Sequence, residues 1–560
     1  MCIRDRYEML KILDLFAGAG GLSLGFEKTG QFEVAAIVEN NKNAAKTYLR
    51  NHPGLKNYED ILTVDFQQIK NECGEIDVII GGPPCQGFSN ANRQRRQLIN
   101  GSNELVKKYV EAIKEIQPKV FVMENVKTIA SNKHSFCVTH EDENYIKNEL
   151  KLNIYPKEVT LFDGACVNRV FELACSYNEN EKQLLLISED DLYFLYNMCR
   201  KKKQIKRFLL KPLNIKTLNC ITSKLIKKDY MPEWYNSYTQ KAKSTIELLL
   251  NNEELEDVSW ADELMKFWDI HRFYHGLAEL EKKDAIFNYS IVGQTIRVKM
   301  ETYIVIDFIK ESFRYLGYEI KGDVLNAASY GVPQTRERFI LIGMRNEMCT
   351  KKIELPTPVI DNPSNHITVE DAIKDLEKIE PTVAGMDETQ KRKNCPIINS
   401  YFREMVMVEN YRDVHNHVCT ATGEMALKRF EKIEPGKNFH SLPEELKSSY
   451  ENPGRTQNTV YKRLNPDMPS DTVVNIRKSM WIHPVFNRAV SAREAARLQS
   501  FPDDYIFYGT KDSVYQQIGN AVPPILGRAV AEKVLELFGA RLEFDESIEG
   551  IYFKYQENKK

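Results

Sequence analysis

Between residues 12 and 126, short apolar runs rich in β-formers (ILDLF, VAAIVE, IDVIIGG and VFVMENV) alternate with stretches of helical periodicity. Strand-length runs separated by helical patterns are the sequence form of parallel βαβ units. The expected fold class is α/β, a doubly wound and mostly parallel sheet. The pattern stops after residue 130 and resumes near Glu301, with the helical ETYIVIDFIKESFRYLG and the strand-like RFILIGM from Arg338 to Met344. An insertion is expected between the two parts of the sheet.

The insertion is poor in Gly and Pro, and its apolar spacing is helical, most clearly from Ser244 to Lys282, so a helical lobe is expected. From Lys352 to Pro484 regular periodicity fades and eleven of the 22 prolines gather. Many short elements joined by turns would suit a lobe whose loops contact a ligand. Order returns at Ser491, where SARE has the form of a capping box opening a helix through Leu498, and a further helix is expected from about Pro524 to Phe538. The expected division is an α/β domain in three parts (9–130, 299–350 and 486–541), a helical insertion (131–298), a smaller irregular domain (351–485) and a tail (542–560).

Hydrophobic residues at 42% and charged residues at 28% are ordinary for a globular protein. A formal net charge of -2 means that affinity for a polyanion must come from local basic patches. One such run exists: Arg200 to Lys228 holds eleven Lys or Arg residues and no acid, a pattern more often a solvated face than a DNA contact. The eleven cysteines include no CxxC pair, so no metal site is expected. No apolar run approaches the ~18 residues that span a bilayer. A cytoplasmic chain with reduced thiols and no membrane association is the expectation.

Five motifs carry candidate chemistry. DLFAGAGGLSLGF, from Asp14 to Phe26, places Gly18, Gly20 and Gly21 between a strand and a helix, where a cofactor can approach the backbone closely. Glu39 ends the next strand, a usual place for a carboxylate that accepts from a ribose, and Asp60 could meet an adenine amino group. GGPPCQGFS leaves Cys85 on a proline-stiffened loop at the sheet's carboxyl end. In VFVMENV, Glu124 follows four apolar residues and is poorly explained by packing. In YGVPQTRERFILIG, Arg336 and Arg338 alternate and would share one face, as a clamp for a carbonyl or phosphate or as structural ion pairs. QIGNAVPP reads on its own as a turn before the last helix.

In this order the motifs closely resemble those of the cytosine-5 DNA methyltransferase family: its glycine-rich turn, PCQ loop, ENV strand, QxRxR segment and GNxV motif. The resemblance covers Leu10 to Ser131, roughly Glu301 to Met344, and Ser491 to about Gly539. It implies an S-adenosylmethionine-dependent, Rossmann-like domain that methylates cytosine C5 in a specific short duplex DNA sequence. By the same resemblance Cys85 is the nucleophile at C6, Glu124 hydrogen-bonds the N3 edge, Arg336 holds the cytosine O2 and Arg338 supports the site. The cofactor pocket would use Asp14, Phe16, Gly18, Gly20, Glu39, Asp60 and Pro84, closed by Asn520. Residues 352–484 inherit the role of target recognition, with Arg455, Lys462 and Arg463 as candidate DNA contacts. The expected partner is double-stranded DNA, met by a monomer in a restriction-modification setting with a separately acting endonuclease. An RNA cytosine-5 methyltransferase or a catalytically silent DNA-binding homologue are the other readings. The departure from the family is the insertion of ~170 residues, where a short connection is usual.

Overall fold

The structure, a computed structural model, describes residues 9–84, 102–176, 187–251, 258–383, 385–392, 399–407, 411–450 and 452–559. Its strands in chain order are β1 (Leu10–Leu15), β2 (Phe32–Val38), β3 (Lys56–Asn57), β4 (Val78–Gly81), β5 (Val120–Val126), β6 (Ser135–Cys137), β7 (Tyr155–Asp163), β8 (Phe287–Val292), β9 (Thr295–Ile304), β10 (Tyr318–Asn326), β11 (Glu337–Arg345), β12 (Thr389–Lys391) and β13 (Asp413–His415). The described residues form two compact units, one made of those in 9–84, 102–132 and 309–559 and the other of those in 133–308.

The first unit is built on a seven-stranded sheet in the order β10-β11-β5-β4-β1-β2-β3. Strands β1 to β5 run parallel, and β11 runs against both of its neighbours. The apolar runs form these strands because a sheet covered on both faces buries every position; Ile12, Leu13, Ile79, Ile80, Val122, Ile340 and Ile342 are all buried. From β1 the chain builds outward through β2 and β3, then returns to the other side of β1 for β4 and β5. That reversal falls at the carboxyl ends of β1 and β4, the usual ligand position in such folds. Helices α1 (Gly21–Glu27), α2 (Lys42–Asn51), α3 (Phe66–Cys73) and α4 (Ser102–Ile116) connect the strands. Asn41 and Asp65 cap α2 and α3 by accepting two main-chain N–H bonds each. The helix Pro524–Leu537 packs on α1, where a Cβ at Gly25 would stand 2.5 Å from the Pro524 carbonyl. The two ends of the motif series thereby meet beside β1.

Residues 351–485 form short pieces, among them helices Val369–Ile373, Ser400–Val406, Glu424–Lys432 and Ile476–Ser479, and the β12–β13 pair. The helix Ala492–Leu498 opens with the expected capping box of Ser491 and Glu494. Its Arg497 is fully buried and donates to Asp503 Oδ1 (2.6 Å), Asp503 Oδ2 (2.6 Å), Asp375 Oδ1 (3.0 Å) and the Ala372 carbonyl (2.8 Å). Arg392 joins both aspartates, so two guanidiniums and two carboxylates balance in one place. Removing one partner of such a group leaves a buried charge uncompensated. Arg497→Met is therefore expected to cost about 3–5 kcal/mol of stability, read as a lowered urea or thermal midpoint; an unchanged midpoint would refute the charge argument.

The second unit carries helices, including Val167–Ser176, Glu189–Arg200, Pro212–Lys224, Glu233–Leu250 and Trp260–Lys282, and also an antiparallel sheet that the helical reading of the insertion lacks. In it β9 pairs with β6, β7 and β8. The residues ETYI, expected to open a helix, instead finish β9; the helix is Val305–Tyr315. The long helix Trp260–Lys282 serves two cores. Trp260, Leu264 and Phe267 pack with the neighbouring helices, whereas Ile270, Phe273, Tyr274 and Leu277 pack with the sheet residues Phe162, Ile296 and Val298. No described helix is long and apolar enough to cross a membrane.

Candidate active site

After β1 the chain turns sharply, with Phe16, Gly18 and Gly20 at positive φ (57°, 56° and 77°). Glycine adopts this region freely, whereas Phe16 is held there against its preference, a strain typical of ligand-binding turns. The Gly18 N–H donates to Glu39 Oε2 (2.8 Å) and the Asn41 N–H to Glu39 Oε1 (2.6 Å). Glu39 thus stands at the end of β2 with both oxygens fixed by main-chain donors, and burial raises its pKa. Its own N–H donates to Asn57 Oδ1 (3.0 Å), which ties the loop carrying Asp60 to the same place. Asp60 is half-buried and accepts from the Leu62 N–H (3.0 Å). Beneath the turn, the Tyr48 hydroxyl lies 2.7 Å from Ser23 Oγ and 3.4 Å from Asp14 Oδ2, while the Tyr505 hydroxyl donates to the Ala19 carbonyl (2.6 Å). Sequence reasoning missed both tyrosines. Among the described residues no hydrogen bond joins Pro84 or Asn520 to this group. Asn520 is exposed at the end of the helix Lys511–Asn520, where its Oδ1 accepts from Gln516 Nε2 (2.8 Å).

Cys85 lies outside the described residues, but the loop that leads to it does not. Asn125 Nδ2, buried beside Glu124, donates to the Pro83 carbonyl (2.9 Å) and so pins the paired prolines to β5. A Cβ at Gly82 would stand 2.8 Å from Glu124 Oε2, so any larger residue there would have to displace the carboxylate. Glu124 is 12% exposed, and its Oε1 is 2.9 Å from Arg338 Nε. Burial raises the Glu124 pKa, while the charges of Arg338 and Arg336 pull it back. An acid able to change protonation state therefore sits where β5 ends, next to the loop of the expected nucleophile.

The two arginines of the QxRxR segment have different surroundings. Arg338, in β11, pairs with Glu124. Arg336 precedes β11 and is 1% exposed; its Nη1 donates to the Val473 carbonyl and its Nη2 to the Gly519 carbonyl, both at 3.0 Å. Gln334, which sequence reasoning passed over, is as deeply placed: it accepts from the Val473 N–H (2.8 Å) and donates to Gln499 Oε1 (2.6 Å), and Gln499 in turn donates to the Ile518 carbonyl (2.7 Å). Gln334, Arg336 and Gln499 lace residues 470–473, the helix before Gln499 and the GN turn together. Arg336 thus has both terminal nitrogens on main-chain carbonyls, whereas Arg338 stands at the Glu124 carboxylate.

Of the three cations singled out as DNA contacts, Arg463 is 4% exposed and donates to the carbonyls of Ile433, Phe430, His483 and Phe486. That is a structural cage, and Arg463 is withdrawn as a contact. Lys462 pairs with Asp471, and Arg455 is exposed.

Burial pushes the Asp14 pKa up from 3.8 to about 7, against the hydrogen bonds of Ser23 and Tyr48. A carboxyl with a raised folded-state pKa contributes stability below its unfolded value, and this is lost as pH rises through the folded value. Relative to Asp14→Asn, the wild-type chain is expected to lose on the order of a few kcal/mol between pH 4 and pH 8. Thermal midpoints of the two chains across that range test it; a constant difference would show that Asp14 titrates normally.

The chain matches the model of the C-5 cytosine-specific DNA methylase family over residues 10–165 and 298–536. It is 26% identical over 540 residues to the type II methyltransferase M.DdeI of Desulfomicrobium norvegicum, covering 94% of this chain and 88% of that one. With the type II methyltransferase M1.HphI of Haemophilus parahaemolyticus it shares 25% over 532 residues, 94% of this chain and 87% of the other. A solved structure of a putative DNA modification methyltransferase encoded within an E. coli prophage superposes with a TM-score of 0.52 at 19% identity, over 95% of this chain and 100% of that one, a likeness of fold. Matched on both sides of its insertion, the chain belongs to the C-5 cytosine-specific DNA methylase family and is by class a DNA (cytosine-5)-methyltransferase.

Proposed function

We propose that the chain transfers a methyl group from S-adenosylmethionine to C5 of a flipped-out cytosine in one short duplex sequence, through a covalent Cys85 adduct at C6. The observation that carries this reading is the partly buried Glu124–Arg338 pair at the end of β5, with Asn125 holding the loop that leads into Cys85.

Cytosine C5 is a weak carbon nucleophile. Addition of the Cys85 thiolate to C6 activates it, provided the charge that develops on the ring is neutralised. Protonated Glu124 donates to N3 as the C6–S bond forms, which leaves the electron pair on C5. Arg338, whose Nε lies 2.9 Å from Glu124 Oε1, is the group we assign to the cytosine O2. After methylation the C5 proton passes to solvent water, the C5–C6 double bond re-forms with expulsion of the Cys85 thiolate, and the N3 proton returns to Glu124. These atoms are out of reach inside a duplex, so the base must leave the stack at a cost of a few kcal/mol.

The residues at the carboxyl end of the sheet fit the cofactor. Glu39 has lone pairs left on two anchored oxygens for a ribose diol, and the strained turn from Phe16 to Gly20 keeps side chains off the approach. Asp14, Phe16, Gly18, Gly20, Glu39, Asp60, Pro84 and Asn520 are the residues we assign to it. S-adenosylmethionine, when bound, supplies an electrophilic sulfonium methyl. Residues 351–485 read the sequence, with Arg455 as a DNA contact, and the relatives' designation as type II methyltransferases points to a separate endonuclease as functional partner.

Bisulfite sequencing of DNA from a host producing the chain is expected to show 5-methylcytosine in one short motif. Unmodified DNA in the presence of folded, soluble chain would overturn the reading.

A further inference from the structure

The basic run from Arg200 to Lys228 has no part in the chemistry above. Buried Ile205, Leu209, Leu218, Ile221 and Leu225 fix one side of this segment in the helical core. The opposite side faces solvent. Three of its cations have carboxylate partners: Lys202 with Asp262 (3.4 Å), Lys224 with Asp191 (2.5 Å) and Lys227 with Glu233 (3.5 Å). Between them lies a stretch, 203–216, in which Lys203, Lys206, Arg207, Lys211 and Lys216 are all exposed and have no ion pair among the described residues. In the middle of these cations Leu210 is 81% and Leu213 73% exposed. Isolated exposed leucines are common, but two within a 14-residue stretch that also exposes five cations, Leu213 in the first turn of the helix Pro212–Lys224, make a surface both apolar and positive.

We propose that residues 203–216 form a second, sequence-independent contact for duplex DNA, with the five cations on phosphates and Leu210 and Leu213 against the sugar edges between them. This rests on the chain's acting on DNA. Charge complementarity selects the occupant. The whole chain carries a formal charge of -2 and has no general attraction for a polyanion, so phosphate affinity has to come from places such as this one. Apolar side chains that lean into a groove between phosphate contacts are a recurring way of holding DNA without reading its bases. The contact would add affinity to every sequence equally and leave the choice of cytosine to residues 351–485.

The test uses the full chain and a 40-base-pair duplex, with binding measured by anisotropy between 50 and 200 mM salt. The quintuple variant Lys203→Gln, Lys206→Gln, Arg207→Gln, Lys211→Gln, Lys216→Gln is expected to shrink the slope of log affinity against log salt by about 3–5, and to leave kcat at saturating DNA and the methylated motif unchanged. Leu210→Ser with Leu213→Ser is expected to weaken binding about 3–10-fold at an unchanged slope, as apolar contacts release no counterions. Wild-type helix content and thermal midpoint in both variants exclude a folding defect. An unchanged slope in the glutamine variant overturns the proposal, as does a loss confined to vesicles containing phosphatidylglycerol, which would assign the patch to an anionic lipid surface. The slope is read without turnover, so a chain that binds duplex through this patch but methylates none fails the functional reading and still supports the contact.

Discussion

Serine in place of Cys85 is expected to lower methyl transfer by on the order of 10⁴-fold or more while DNA affinity stays within a few-fold. A serine hydroxyl keeps its proton at neutral pH, and without a thiolate at C6 the ring carbon C5 has no electron pair to offer. The substitution changes one atom, so lost packing cannot account for such a fall. A duplex with 5-fluorocytosine at the target gives a second readout: fluorine cannot leave as the C5 proton does, so the adduct of the wild-type chain persists through denaturing electrophoresis. The serine variant is expected to bind this duplex and form no such adduct. A variant that turned over within tenfold of wild type, or a trapped adduct on a residue other than Cys85, would remove the nucleophile from the proposed mechanism.

The parts of this molecule that could be read from its sequence are those set by local rules. The parallel strands announce themselves because a sheet buried on both faces demands continuous apolar runs, and the Ser491–Glu494 capping box because it closes over three residues. What escaped depends on distant partners. The sheet of the second unit was hidden: β8 alternates in burial along FNYSIV, as a half-exposed strand should, but it is only six residues long beside helices of 18 and 23. The short apolar run ETYI fits either periodicity, and pairing across to β6 and β7 decides it. Arg336 and Arg338 look equivalent because alternate residues of a strand share a face. That equivalence fails since β11 begins at Glu337, and Arg336 lies in the segment that joins residues 470–473 instead. Arg463 looked like a phosphate contact for the same kind of reason: a carbonyl cage assembled from residues 430, 433, 483 and 486 leaves no mark near position 463. Asn125, Gln334 and Gln499 were passed over because an amide side chain signals nothing until the carbonyls and N–H groups that it satisfies are in place.

Glu124→Gln is expected to lower kcat by about 10²–10⁴-fold, the range that a positioned proton donor supplies. Glutamine can still hydrogen-bond the base edge, so binding should survive better than turnover. Burial raises the Glu124 pKa above that of an ordinary carboxylate, which favours the protonated form the mechanism needs, while Arg338 and Arg336 oppose it. As pH rises through that value the acid is lost, and the wild-type rate should acquire a descending limb that Glu124→Gln lacks, because an amide does not titrate in this range. Arg338→Met gives the complementary shift. Removing the cation 2.9 Å from the carboxylate takes away the main force holding its pKa down, so the descending limb should move to higher pH even as the overall rate falls. A role confined to holding the loop in place would lower the rate without moving the limb. If the limb persists in Glu124→Gln, or stays where it is in Arg338→Met, then Glu124 is not the proton donor and the pair serves only to position the Cys85 loop.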